Sequence, residues 1–290
     1  MSFTAFALIF TAALIHAIWN LIAKKSGGGS LFVVSYTFLA TIIYLPVAVW
    51  LVYQGHLPQT LASWSVILLS SFIHLAYTLL LQKGYQKADL SVVYPVARGT
   101  APLISATGAY LLFKEPATAL SITGLFIIVG GIGVISKIDQ IIYKRDLSLL
   151  KGIKYGLMIG ICIAMYTLTD AFAIKQTGVH PLLLDYISNV VRTLILLPTA
   201  WNKRIQLKKV FRDSWKHSAA IGLLGTLGYT LVLYAIQFTP VSLAAPAREM
   251  SMMMAALLGY FWLKEGDATR RFLGAGCIVA GVLCLAFSGH

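Results

Sequence analysis

Two short polar stripes lie within otherwise apolar runs of the chain. His16, Trp19 and Asn20 fall at positions i, i+3 and i+4, so a helix would present all three on one face. The same spacing recurs 150 positions later, with the residues Tyr166, Thr169 and Asp170. Such stripes on equivalent helices are typical of the wall of a polar cavity, and hydrogen bonds that join helices are the alternative interpretation. The carboxylate of Asp170 favours the cavity, because acids are costly at this depth.

Two arginines inside apolar runs are the strongest candidates for binding a ligand. Arg98 and Arg248 are also 150 positions apart, and an arginine cannot lose its charge by losing a proton. Each guanidinium could hold a carboxylate or phosphonate group of a substrate, or could form an internal ion pair with Glu249 or Asp170. Because Glu249 adjoins Arg248 and Arg98 has no acid in its own run, we expect Arg98 to be the free cation. Arg98→Ala should then abolish binding and still allow folding.

Aromatic and titratable side chains in the apolar runs extend the candidate site. The further candidates for substrate contact are Tyr94, Tyr77, His74, Tyr166 and Tyr229. Carboxylates and imidazoles can change charge, so the candidates for proton coupling are Asp170, Glu249, His16 and His74. Asp185 and Arg192 are interpreted as structural. No serine elbow, HExxH motif or paired-aspartate motif is present, so the sequence predicts no catalytic residue, no metal site and no cofactor.

The elements that carry these residues are apolar runs long enough to cross a bilayer. Hydrophobic residues make up 58% of the 290-residue chain and charged residues only 11%, whereas soluble domains contain roughly 25% charged residues. A membrane-spanning helix needs about 20 apolar residues. Ten such runs are present, at roughly Ser2–Ala23, Leu31–Tyr53, Ala62–Gln82, Leu90–Phe113, Thr118–Ser136, Gly152–Ile174, Pro181–Ala200, His217–Phe238, Val241–Leu263 and Phe272–Ser288. The net charge is +13, and most of the basic residues lie in the short connections between the apolar runs. The sequence contains no nucleic-acid-binding motif, so the predicted partner is a lipid bilayer and not nucleic acid.

Matches at a single spacing indicate that the chain is an internal duplication. Residues that recur 150 positions later include Asn20 (as Asp170), Lys25, Tyr36, Gly124, Gly131 and the pair Lys114-Glu115. The sequence thus predicts a five-helix repeat over residues 1–136, a cytoplasmic linker over 137–151 and a second repeat over 152–290. Five is an odd number, so the second repeat enters the membrane from the opposite side. The predicted fold is an all-α integral membrane protein of ten transmembrane helices in two inverted repeats, an arrangement typical of secondary transporters.

Three motifs and the two five-span copies resemble the EamA family of the drug/metabolite transporter superfamily. The motifs are Trp19-Asn20, the segment Tyr94–Gly99 and Lys114-Glu115. The segment His16–Lys24 is also similar to a branch found beside phosphonate-utilisation genes. The resemblance implies a basket of helices 1–4 and 6–9 around a central cavity. Helices 5 and 10 would pack at its side, in a monomer or in a homodimer formed through them.

The resemblance also implies a function. We expect export of a small polar metabolite that is anionic or zwitterionic, such as an amino acid or a phosphonate, by alternating access. A flippase for a lipid or lipid-linked sugar and a non-transporting partner subunit are the alternatives. The expected location is a bacterial-type plasma (inner) membrane.

The distribution of basic residues predicts the orientation in that membrane. Most of the 23 Lys and Arg residues lie in the odd-numbered connections, and Lys114 and Lys175 lie in the others. The positive-inside rule then places the odd-numbered connections in the cytoplasm and both termini outside it.

A cysteine placed at Ser214, in a variant whose native cysteines are serine, should resist a membrane-impermeant maleimide in whole cells. The reason is that the basic connection Lys203–Lys216 is predicted to be cytoplasmic. Gln59 lies in the connection between the second and third predicted spans, which is predicted to face the outside. A cysteine at position 59 is therefore the control and should react in the same cells. Labelling at position 214 before the membrane is opened would overturn the topology.

Overall fold

The chain is helical throughout most of the part that the structure describes. A computed structural model describes residues 1–25, 29–88, 90–136, 138, 147–263 and 268–288. These residues form eleven helices and no strand: α1 (Phe3–Lys25), α2 (Ser30–Tyr53), α3 (Leu61–Lys87), α4 (Leu90–Leu112), α5 (Ala119–Ile135), α6 (Leu147–Thr177), α7 (Pro181–Asn202), α8 (Arg204–Phe238), α9 (Val241–Ala247), α10 (Met250–Leu263) and α11 (Ala268–Phe287). Most of the predicted linker 137–151, and the repeated pair Lys264-Glu265, lie outside the described residues.

Each predicted apolar run coincides with one helix or, in one case, with a pair of helices. Among the described residues, seven helices (α1, α2, α3, α6, α7, α8 and α11) contain stretches long and apolar enough to cross a membrane. Of the others, α4 contains the charged Arg98 and α5 has only 17 residues. The fold is therefore that of an all-α integral membrane protein, and the number of ten crossings stays a prediction.

The ninth predicted span is broken, which corrects the prediction of one continuous helix over Val241–Leu263. Arg248 and Glu249 separate α9 from α10. Pro246 has no N–H group, and the Glu249 amide donates to the Pro246 carbonyl at 3.0 Å. This bond reaches back three residues, which is the tighter pattern of a 3₁₀ turn. Irregular backbone at membrane depth is tolerated only where protein buries it, and both junction residues are buried.

The basic segment predicted as a connection, Lys203–Lys216, is almost entirely helical. Helix α8 begins at Arg204 and continues to Phe238, for 35 residues. At 1.5 Å per residue such a helix is about 50 Å long, whereas the hydrocarbon core of a bilayer is about 30 Å thick. The N-terminal third of α8, where the Lys and Arg residues lie, is therefore an extension of a membrane helix.

The two repeats pack mainly against each other. Helix α1 packs against α8, and its counterpart in the second repeat, α6, packs against α3. Helix α2 contacts α7 and α8, α4 contacts α6, and α5 contacts α11. This exchange of partners between equivalent helices is what a two-fold relation between the repeats produces.

Paired glycines bring α5 and α11 into backbone contact. A Cβ atom on Gly124 would lie 2.7 Å from the Gly281 carbonyl oxygen. A Cβ atom on Gly131 would lie 2.8 Å from the Gly274 carbonyl oxygen. Neither position therefore accepts a larger residue without movement of the backbone. The two helices are antiparallel, since the earlier glycine of each faces the later glycine of the other. Because these glycines are repeat equivalents, the crossed pairing is that of an inverted repeat, and the homodimer through these helices stays a prediction.

Glu115 of the first repeat caps a helix of the second. Lys114 adopts a left-handed backbone conformation, with φ 53°, just after α4 ends. The Glu115 carboxylate accepts the amide N–H of Val241 at 2.7 Å and that of Ser242 at 2.8 Å. Lys175 Nζ lies 3.4 Å from the same carboxylate. An anion at a helix N-terminus is stabilising, so this contact fixes the start of α9 and thereby the junction that follows it.

Gly131→Ala should destabilise the protein, because its new methyl group would press on the Gly274 carbonyl. Overpacking of this kind typically costs about 1–3 kcal/mol. Gly130→Ala is the matched control, since a Cβ atom there meets nothing within 4 Å. Thermal unfolding in detergent compares the two variants. Equal melting temperatures would contradict the close contact of α5 with α11.

Candidate functional site

Arg98 is engaged on both of its terminal nitrogens. Its Nη1 atom lies 3.3 Å from Glu249 Oε1 and 3.5 Å from Oε2, in a salt bridge that joins α4 to the α9–α10 junction. Its Nη2 atom lies 2.9 Å from His16 Nε2 on α1. The Tyr94 ring, 5.5 Å from the guanidinium carbon, adds a cation–π contact. Arg98 is 7% exposed and Glu249 1%, so the pair is withdrawn from solvent.

The contact with Arg98 determines the tautomer of His16. A guanidinium has only donors, so His16 Nε2 must accept, and in a neutral imidazole the proton is then on Nδ1. Trp19 Nε1 lies 3.2 Å from that Nδ1 atom. An indole N–H also only donates, so this second contact cannot be satisfied in the same tautomer. Asn20 donates to the His16 backbone carbonyl at 2.7 Å, which directs its amide nitrogen to its own helix.

Arg248 is buried at the helix junction without a hydrogen-bond partner. It is 7% exposed, and its Nε atom is buried and unpaired. No ion pair or hydrogen bond joins its guanidinium to any residue of the described ranges. The expectation that Glu249 would pair with Arg248 and leave Arg98 free is therefore wrong. Consecutive side chains in a 3₁₀ turn point about 120° apart, so the neighbour in sequence is poorly placed to pair, and Glu249 reaches the other repeat instead.

Asp170 is a fully buried carboxylate held by two hydroxyl groups. Ser70 Oγ on α3 donates to Oδ1, and the Tyr229 hydroxyl on α8 donates to Oδ2. His74 Nε2 lies 3.9 Å from Oδ2. His74 Nδ1 lies 3.1 Å from the Ser70 carbonyl oxygen, which only accepts, so Nδ1 carries the proton of the neutral ring. His74 Nε2 is then free to receive a proton next to Asp170.

Three tyrosine rings form a cluster around Tyr166, and one of them, Tyr229, is bonded to Asp170. Tyr166 is 5.6 Å from Tyr77 and 6.0 Å from Tyr229, measured between ring centroids. His74 stacks on Tyr166 at 4.0 Å with an interplanar angle of 25°. These rings come from α3, α6 and α8, so the polar stripe on α6 meets side chains of α3 and α8 in one cluster.

The predicted site residues thus form two groups. The Arg98 group consists of Trp19, His16, Tyr94, Arg98 and Glu249. The Asp170 group consists of Tyr77, His74, Tyr166, Asp170 and Tyr229, together with Ser70. Arg248 interacts electrostatically with Arg98 and Glu249 of the first group and with Tyr166 and Tyr229 of the second, although it forms no ion pair with Glu249. Ser70 was not among the predicted residues, although it lies four residues before His74 and therefore on the same helix face.

Another polar cluster lies on α7 and is satisfied internally. Arg192 Nη2 donates to Asn189 Oδ1 at 2.8 Å and lies 3.7 Å from Asp185 Oδ1. Asn189 Nδ2 donates to Asp185 Oδ2 at 3.0 Å and contacts Thr226 Oγ1 of α8 at 3.3 Å. The opposite charges balance within one helix, which is consistent with a structural role.

Inverted repeats of apolar helices that bury charged and aromatic groups between them are typical of a membrane transporter. The EamA-like transporter family matches the chain over residues 3–137 and again over 150–287. The chain therefore belongs to this family, whose members are transporters.

Individual relatives agree with this assignment. The chain is 23% identical to the uncharacterized transporter YwfM of Bacillus subtilis (strain 168) over 247 residues, which cover 82% of this chain and 78% of YwfM. It is 30% identical over 87 residues to ArnE, a probable 4-amino-4-deoxy-L-arabinose-phosphoundecaprenol flippase subunit of Hamiltonella defensa subsp. Acyrthosiphon pisum (strain 5AT). That match covers 27% of this chain and 78% of ArnE. A crystal structure with 14% sequence identity matches 100% of this chain and 98% of its own length at a TM-score of 0.76, which supports the fold.

Arg98→Ala should destabilise the protein, in contrast to the tolerance expected from the sequence. It would leave the Glu249 charge buried without its partner, at a cost of about 3–5 kcal/mol. The double variant Arg98→Ala/Glu249→Gln should recover much of that loss, because it removes both charges. Arg248→Ala is the control and should keep the wild-type melting temperature or raise it. Equal losses for the two single variants would contradict the pairing.

Proposed function

We propose that this protein transports a small polar solute whose anionic group binds Arg248. The observation that carries the proposal is the buried Arg248 guanidinium, whose Nε atom has no partner. Burying a charge without a counter-charge costs several kcal/mol, and a carboxylate, phosphonate or phosphate group would offset that cost through charge-assisted hydrogen bonds. The anion site is assigned to Arg248 and not to Arg98, because Glu249 and His16 already occupy Arg98.

Proton coupling is assigned to the Asp170 group. Asp170 accepts a hydrogen bond from Tyr229, which also interacts with Arg248, so an ionised Asp170 would repel a solute anion bound at Arg248. Protonation of Asp170, or of His74 beside it, removes that competition and strengthens the attraction of an anion. The proton and the anion would then bind together. A zwitterionic solute would place its amino group towards the ionised Asp170.

Transport follows from the two-repeat architecture. Rocking of inverted repeats around a site at their interface exposes that site alternately to the two sides of the membrane. Export, the direction that the family resemblance implies, would have to run down a solute gradient steep enough to carry the co-bound proton outward, whereas an inward proton gradient would drive uptake through the same site. The partial match to ArnE favours a second candidate, a flippase for a lipid-linked phosphate, in which the same arginine would hold the phosphate group.

Anionic or zwitterionic solutes should raise the melting temperature of the purified protein, and cationic or neutral solutes should not. A ligand that binds only the folded state stabilises it by about 2.7 kcal/mol at one hundred times its Kd. The panel would contain glutamate, 2-aminoethylphosphonate, inorganic phosphate, putrescine and glucose, and a hit would then be tested for uptake into proteoliposomes. Arg248→Ala should abolish the shift while the variant stays folded, and Arg248→Lys should restore it poorly because an ammonium lacks the planar fork.

Three further arms decide between the alternatives. Asp170→Asn should remove the rise in wild-type anion affinity that we expect as the pH falls. A shift with undecaprenyl phosphate in nanodiscs, and with no soluble anion, would favour the flippase. If the Arg248→Ala variant bound the anion as strongly as wild type, the assignment of Arg248 as the anion site would be wrong.

A further inference from the structure

Of two equivalent buried arginines, one is paired with an acid and the other is not. Arg98 and Arg248 occupy equivalent positions in the two repeats, and among the described residues Glu249 forms its salt bridge with Arg98. Residue 99 is the repeat equivalent of residue 249, so the counterpart of the Glu249–Arg98 contact would join residue 99 to Arg248, although α4 stays helical at this point and the second repeat is broken there. Residue 99 is glycine and has no carboxylate to offer. Arg248 therefore lacks a partner because the first repeat has no acid at the position equivalent to Glu249.

We infer that the anionic group of the substrate occupies the position that Gly99 leaves empty, and that Glu249 limits the site to one such group. This inference rests on the proposed function, in which Arg248 binds the anion. Glu249 and the substrate would be equivalent ligands of two equivalent cations, one supplied by the chain and one by solution. Glu249 is thus a specificity-determining residue, and the substrate class is a solute with one anionic group at the site.

Electrostatics supports this limit. The charges of Arg98, Arg248 and Glu249 sum to a single positive charge, which one anion neutralises. A second anionic group would have to displace the Glu249 carboxylate from Arg98, where that carboxylate contacts Nη1 through both oxygens. Like charges brought this close in a buried site repel strongly, so a dianion gains no second cation in the wild-type protein.

Sulfate and methanesulfonate are matched probes, because both are tetrahedral and carry two charges and one charge, respectively. Their effects on the melting temperature would be measured for wild type, Glu249→Gln and the double variant Arg98→Gln/Glu249→Gln. Each would be compared with the same protein carrying Arg248→Ala, which cancels the general effect of salt. Glu249→Gln frees Arg98 and should raise the affinity for sulfate over methanesulfonate by about tenfold or more, the effect of one more charge-assisted contact. The double variant should return to the wild-type ratio.

Gly99→Glu tests the other half of the inference while Arg98 and Glu249 keep their identities. A Cβ atom at position 99 would meet only Val129 Cγ1, at 3.8 Å, which is an ordinary contact. The new carboxylate should satisfy Arg248, abolish Arg248-dependent anion binding and raise the melting temperature. Gly99→Gln is the size-matched control and should keep at least part of the anion binding.

The outcomes separate this inference from the proposed function. If neither anion gives an Arg248-dependent shift in any variant, the anion site at Arg248 fails, and the inference fails with it. If wild type shows the shift but the sulfate ratio is unchanged in Glu249→Gln, or Gly99→Glu binds as well as Gly99→Gln, the inference alone is overturned. The two anions can also be compared on the wild-type protein alone, by competition between methanesulfonate and sulfate. Stronger binding of sulfate by wild type would refute the single-charge limit even if a variant failed to fold.

Discussion

The buried ion pair between Arg98 and Glu249 is the contact on which the rest of the site depends. Neither charge can be buried alone without losing several kcal/mol, so the fourth helix of the first repeat and the broken helix of the second must meet. The Glu115 cap and the close packing of α4 against α6 hold the same two helices in place. Satisfying Arg98 in this way leaves Arg248 as the cation without a partner among the described residues.

Duplication has produced equivalent positions whose chemistry then diverged. Gly99 corresponds to Glu249, and Asn20 corresponds to Asp170. In both pairs the second repeat supplies the acid: Glu249 pairs with Arg98 of the first repeat, and Asp170 accepts hydrogen bonds from Ser70 and Tyr229. The backbone relation between the repeats stays close to two-fold at the glycines of α5 and α11. The charges do not follow that symmetry, which leaves the Arg248 guanidinium buried without an ion-pair partner among the described residues.

Spacing in the sequence was a reliable guide, and proximity in the sequence was not. The offset of 150 identified both arginines, both polar stripes and the glycines that pack across the repeats. Adjacency suggested that Glu249 would pair with Arg248, but pairing depends on distance across the folded interface, which no local pattern records. The break at Arg248 was equally hidden, because an apolar run reads as one span. The charges of Lys203–Lys216 suggested a loop, although Lys, Arg, Gln and Leu favour helix in water as well.

A transporter must release what it binds, and the arrangement of the two arginines bears on that requirement. Two free guanidiniums would hold a single anion through both forks, and each added charge-assisted bond would slow its release about tenfold or more. With Glu249 on Arg98, the affinity for the proposed substrate anion depends on Arg248 alone. Once the anion leaves, only one cation is left uncompensated, because Arg98 keeps its internal partner. Under the proposed alternating access, the empty protein would change conformation with one uncompensated charge to accommodate and not two, which would lower the electrostatic barrier to its return.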